Sequence, residues 1–189
     1  MYIAGDYLFS GPDLDEVFEA RKGAAREAIA ALDADQMREA GEAELVESLV
    51  SRFQFPDPRM HWDKSYFLEE RTLERGEAEA AGSSDAPIEN AAEMKAITIA
   101  VPFEGDAVLF QCRPAIHSVH QLQADVVDQE LRICFIVTEA EEWHLRHKFE
   151  QQIALIERQL EVTQWQVMGF NSELPEFVQG ELRERRTRI

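Results

Sequence analysis

The strongest constraint on the fold is a row of apolar residues near the C-terminus. Phe149, Ile153, Ile156, Leu160, Val167, Phe170, Leu174 and Phe177 recur at alternating steps of four and three, and only Thr163 interrupts them. Heptads sustained over this length suffice for a helix-helix seam. Leu145, Leu155, Val162, Trp165 and Met168 widen the stripe beyond a strict seam, so packing on a sheet is as well supported as packing on a second chain. The pattern predicts a long helical arm over 139–189. Pro175 is tolerated in a first turn but not in mid-helix, so a kink or break is expected near 171–175, with Asn171 or Ser172 as a new start.

A change of period shows what the arm covers. Ile97, Ile99, Val101 and Phe103 alternate in ITIAVPF, and after Glu104-Gly105-Asp106 the alternation resumes at Val108, Phe110 and Cys112. That is the pattern of a hairpin with a three-residue turn. A second hairpin runs QADVV, then Asp128-Gln129, then ELRICFIV, with Leu131, Ile133, Phe135 and Val137 pointing inward. Residues 97–138 are therefore expected to form a four-stranded antiparallel sheet with one buried face.

Upstream, residues 1–58 carry the marks of a helical hairpin. Pro12 precedes Asp13, and Glu16 follows three residues on, the spacing of a capping box. Leu14, Val17, Phe18, Ala25, Ala28, Ile29 and Leu32 then share a helix face, Asp33 and Gln36 offer a second cap, and Leu45, Val46, Leu49, Val50 and Phe53 form another apolar face. The FPDP run at 55–58 must end that helix. Residues 59–96 are irregular: Tyr66, Phe67 and Leu68 can open a short strand or helix, and 74–93, rich in Ala, Glu, Gly, Ser and Pro, is expected to be a mobile surface loop. With 189 residues and 45% apolar content, the chain fits one α+β domain.

Charge narrows the function. Thirty-seven acids stand against 19 bases, for a formal net charge of -18. Such a field repels phosphate backbones and anionic bilayers, so neither nucleic acid nor membrane is the expected partner. No stretch approaches the roughly 18 consecutive apolar residues of a membrane span, and MYIAGDYLFSG is not a basic leader, so a cytosolic location is expected. Cys112 and Cys134, without CxxC spacing, are expected to be reduced and buried. The acids are unevenly placed: residues 1–96 hold 22 acids and 10 bases. The one basic cluster, Arg183, Arg185, Arg186 and Arg188, lies at the other end. It either complements a helix C-terminus or contacts an acidic surface, such as the N-terminal face of another copy.

Three groupings could carry chemistry. His117 with His120 and His144 with His147 form two HxxH pairs, which together could make a tetrahedral Zn site, although the glutamate of HExxH is missing. Pro56-Asp57 with Glu93-Met94-Lys95 has the residue types of a Mg²⁺ nuclease, but Asp57 lies between prolines and Glu93 precedes a strand. Glu104 and Asp106 flank Gly105, where a solvated turn accounts for them as well as cation binding or acid-base work does. No GxSxG, P-loop or GxGxxG motif occurs.

VPFEGD at 101–106 followed by LF and then Arg113-Pro114, a sheet, a long helix, and FNSELP at 170–175 leading into ELRERRTRI is the motif set in question. Over roughly residues 12–189 it resembles a family of uncharacterised bacterial cytosolic proteins with a PFxGD-xxLF strand pair, an FNxxLP turn and an Arg-rich C-terminal helix end. The resemblance implies a recognition or assembly module, free-standing here or a subunit whose effector is another polypeptide. The histidine pairs are not part of it. The expected function is a non-catalytic protein-binding or assembly module, a subunit or adaptor of a bacterial cytosolic complex that needs no cofactor. Its expected interface, to a protein partner or a second copy, is Phe149, Ile153, Ile156, Leu160, Val167 and Phe170 with Arg183, Arg185, Arg186 and Arg188. The alternative is a metal-dependent hydrolase or metal-binding protein using His117, His120, His144 and His147, or the acids at 104–106.

Overall fold

The computed structural model describes residues 1–74, 77, 94–116 and 121–188. The loop expected at 74–93, and His117 with His120, lie almost wholly outside them. The described chain is α+β. Its strands are β1 (Tyr2–Ala4), β2 (Arg59–Met60), β3 (Tyr66–Thr72), β4 (Met94–Glu104), β5 (Asp125–Val127) and β6 (Glu130–Thr138). Its helices are α1 (Leu14–Ala30), α2 (Ala34–Glu39), α3 (Glu42–Phe53), α4 (Val108–Gln111) and α5 (Leu145–Arg188), with short 3₁₀ turns at Trp62–Lys64 and Glu139–His144.

The sheet is built on one long antiparallel pair, β4 with β6, in register from Met94↔Thr138 to Pro102↔Glu130. β1 and β5 lie along the far edge of β6, and β2 and β3 along the far edge of β4. The β5–β6 hairpin turns at Asp128, whose φ of 54° is the left-handed conformation such a turn uses. Leu131, Ile133, Phe135 and Val137 are fully buried, so the alternation of β6 is met.

The stretch after β4 departs from its sequence reading. Residues 108–111 form a single helical turn, not the return strand of a hairpin. The Asp106 carboxylate accepts from the Val108 backbone N–H (3.2 Å), and Leu109, Phe110 and Cys112 are all buried, so successive residues face the interior and the period of two fails. A short, nearly continuous apolar run such as AVLF at 107–110 does not distinguish strand from helix. The strands that complete the sheet are instead β1, too short to show a period, and β3, which takes up the strand option at Tyr66–Leu68. Gly105 is required where β4 ends: its φ is +105°, and a Cβ would stand 2.8 Å from Pro58 Cα.

The helical hairpin is present, with α1 and α3 packed against α5. The Asp33–Gln36 capping box is complete, Asp33 Oδ1 accepting from Gln36 N–H (2.7 Å) and Gln36 Oε1 accepting from Asp33 N–H (3.1 Å). At Asp13 the expected box does not form: the carboxylate lies 2.7 Å from Arg113 Nε and ties α1 to the segment after α4.

α5 is the spine of the molecule. Ile153, Ile156 and Leu160 enter the sheet core, with Val101, Phe103, Leu131, Ile133 and Phe135. Val167, Phe170, Leu174, Val178 and Leu182 enter a second core, with Leu14, Phe18 and Ile29 of α1, Phe53 of α3 and Phe55. Thr163, the one gap in the apolar row, is the changeover; it is fully buried and its hydroxyl donates to the Gln159 carbonyl (3.3 Å). The helix runs on through Pro175, so no break occurs at 171–175. Proline removes one backbone hydrogen bond, and the buried Phe170, Leu174 and Val178 on either side hold the helical path.

Candidate functional site

α3 ends at Phe53, and the Phe55–Pro58 segment crosses α5, stitched to it by two amide side chains. Asn171 Oδ1 accepts from Phe55 N–H (3.0 Å) while Asn171 Nδ2 donates to Phe55 C=O (2.8 Å), so one amide satisfies both backbone groups of a buried residue. Two turns back, Gln164 Nε2 donates to Pro58 C=O (2.7 Å). Pro56 and Pro58 have no N–H to leave unsatisfied, which suits a segment with no ladder partner.

This stitching creates a surface cleft of about 580 Å³ between the segment and α5, lined by Asp57, Arg59, Gln164, Trp165, Met168 and Asn171, with Val167 at its floor. Asp57 and Arg59 pair at 3.4 Å on one rim. On the other, Trp165 is 70% and Met168 57% exposed, two large apolar side chains one turn apart on the outside of α5. A second groove of about 450 Å³ lies at the sheet end of α5, among Tyr66, Phe67, Ile99, Leu145, Arg146 and Phe149.

The apolar residues expected to form an interface are placed mostly inside. Ile153, Ile156, Leu160, Val167 and Phe170 are buried in the chain's own two cores and offer no surface to a partner. Phe149 alone is partly open, at the second groove. Sequence reasoning correctly found the apolar stripe of α5 but not its outer margin. Trp165 and Met168 read as extra width, and only the packing of α1, α3 and the sheet decides which residues of a broad stripe stay in water.

The arginines are engaged within the chain, although Arg183 and Arg188 stay exposed. Glu42, at the start of α3, accepts from Arg183 (3.2 Å) and Arg186 (3.0 Å), Arg186 also donates to the Met37 carbonyl (3.3 Å), and Arg185 to the Leu32 carbonyl (3.4 Å). Arg188 pairs with Glu184 on its own helix (3.1 Å). The basic tail thus meets the acidic N-terminal half of the same chain.

Among the described residues the catalytic groupings do not come together, and His117, His120 and Glu93 lie outside those residues. His144 ends the 3₁₀ turn and His147 lies in the first turn of α5, where its Nε2 is 2.9 Å from Gln151 Nε2. No group of three or more His, Cys, Asp or Glu able to hold a metal ion occurs among the described residues. Asp57 and Lys95 cannot meet: Arg59 pairs with Glu104 at one end of β4, and Lys95, nine residues earlier on that strand, lies about 30 Å away. Lys95 is held by Glu70 (3.1 Å) and Glu142 (2.6 Å), whose hydrogen bonds raise its pKa. Glu104 contacts His61 Nε2 (3.0 Å) and Asp106 pairs with Arg21 (2.8 Å), so both acids have structural partners. Burial raises the pKa of both thiols, Cys112 in the helical core and Cys134 half-buried in β6, which favours their protonated form.

Comparison with protein-family models, with curated proteins and with solved structures finds no match to this chain. Among the described residues no helix is long and apolar enough to cross a membrane.

Proposed function

We propose that the protein is a non-catalytic protein-binding or assembly module that docks through the outer face of α5. The observation that carries this reading is the pairing of exposed Trp165 and Met168 beside a cleft rimmed by Asp57 and Arg59. Trp, Met and Arg are the residue types enriched at protein interfaces, and a rigid aromatic anchor over a concave surface is the usual form of a binding hot spot. The anchor sits on the best-supported element of the fold, which keeps it ordered before binding. We take the protein to be a subunit or adaptor of a cytosolic complex; the two unpaired cysteines support a reducing compartment. The metal-dependent alternative has no described cluster in its favour.

A photo-crosslinking amino acid placed at position 165, with the exposed Glu47 of α3 as control position, tests the reading in the host cell. Light-dependent protein adducts at 165 and none at 47 are expected. Absence of any adduct at 165 overturns the proposal.

A further inference from the structure

We propose that the occupant of this face is a second copy of the chain, with two α5 helices packed antiparallel about the level of Val167. The inference rests on the reading of the outer face of α5 as a docking surface and adds what covers it. Arg158, Trp165, Met168, Gly169, Ser172 and Glu176 are exposed along this face. At 3.6 residues per turn, Arg158 and Glu176 are five whole turns apart and share one line along the helix. In an antiparallel pair centred on Val167, each Arg158 lies opposite the Glu176 of the other copy, so the ion pair is made twice, as a twofold interface requires.

The same centre places each Trp165 opposite the other copy's Gly169. A Cβ added at Gly169 would meet nothing within 4 Å, so there is open space above that glycine for an indole ring. Glu161 and Glu173 stand at matching levels, but 12 residues turn the helix by about 120° beyond whole turns, so they lie on opposite flanks and do not face each other. Arg158 makes no ion pair among the described residues, and neither does Glu176. With a net charge of -18, two copies repel over most of their surfaces. A face carrying its own base and acid in self-complementary positions is the kind of place where they can meet.

Sedimentation velocity of the full chain across concentration, for wild type, R158E, E176R and the R158E/E176R double variant, tests the pairing. Wild type is expected to reach twice the chain mass. Each single variant weakens self-association by ~10-fold or more, because it sets like charges opposite each other twice, and the charge-swapped double variant restores it. Both positions of change are exposed, and far-UV circular dichroism checks that the fold is retained. A wild type that stays monomeric, a dimer indifferent to both single variants, or a double variant no better than the singles overturns the proposal. A monomer that still crosslinks from position 165 to another polypeptide leaves the docking reading standing and assigns the face to a different protein; a monomer without such adducts removes both.

Discussion

The sheet half and the helical half share one helix but are held by different forces. In the sheet half, the β4–β6 ladder joins residues 28 to 44 positions apart, and α5 seals its apolar face with Ile153, Ile156 and Leu160. In the helical half no strand ladder occurs among the described residues. Phe18, Phe55 and Phe170 pack together, stacked with centroids 4.7 Å apart for Phe18–Phe170 and edge-on at 5.4 Å for Phe55–Phe170, and ion pairs tie the helices around them. Arg21 lies over Phe55 at 4.2 Å while pairing with Asp106, Arg26 pairs with Glu181 (2.8 Å), and Glu42 receives Arg183 and Arg186. The difference gives the uneven charge of the sequence an internal use. The acidic N-terminal half and the basic tail are opposite poles that close on each other within one molecule.

The largest test of this comparison is core truncation on each side of Thr163. Phe135→Ala in the sheet core and Phe170→Ala in the helical core should each cost about 3–5 kcal/mol. Because α5 is common to both, each variant should lower a single thermal transition, with near- and far-UV circular dichroism coinciding. Two separate transitions would show that the halves are independent units. Next is Gly105→Ala at the junction. Positive φ and the approach to Pro58 Cα make it destabilising by about 1–3 kcal/mol, measured by urea unfolding.

Glu42→Gln separates the halves by force rather than by position. It should cost about 1 kcal/mol at low salt, since these pairs are partly solvated. The gap from wild type should close towards ~1 M salt, where screening acts within about 3 Å. A gap that persists undiminished would place the loss in packing. The smallest expected effect belongs to the sheet half. Glu141 accepts from the Met1 α-amine and from Thr138 N–H, which hold its pKa at about 2, below its ordinary 4.5. A depressed folded-state pKa contributes stability above the unfolded value, and that contribution is lost as pH falls from 4.5 towards 2. In Glu141→Gln the melting temperature should therefore fall less steeply than wild type over that window.

What was legible in the sequence were the features with long periods or local rules. The row on β6, the row on α5 and the Asp33–Gln36 cap each declare themselves within a few residues. What was hidden depends on distant partners. The 108–111 turn is helical where Asp106 accepts from the Val108 N–H and the helical core takes Val108, Leu109 and Cys112. β3 is exposed along its whole length and acidic in its middle, so beyond Tyr66–Leu68 nothing in its hydrophobic pattern marks it; its pairing with β4 does. The same limit applies to the candidate site. Trp165 and Met168 stand in a stripe whose other members are buried, and the arginine tail finds Glu42 some 140 residues away.

The central claim is that α5 spends its apolar row inside and presents Trp165 outside for a second surface. The most direct measurement is acrylamide quenching of Trp165 as the sole tryptophan, after replacing Trp62 and Trp143 with phenylalanine, as protein concentration is raised. The account predicts an indole that is freely quenched at high dilution and progressively shielded as the chains associate. An indole shielded already at dilution would contradict it, and one equally exposed at every concentration would contradict the pairing of two copies.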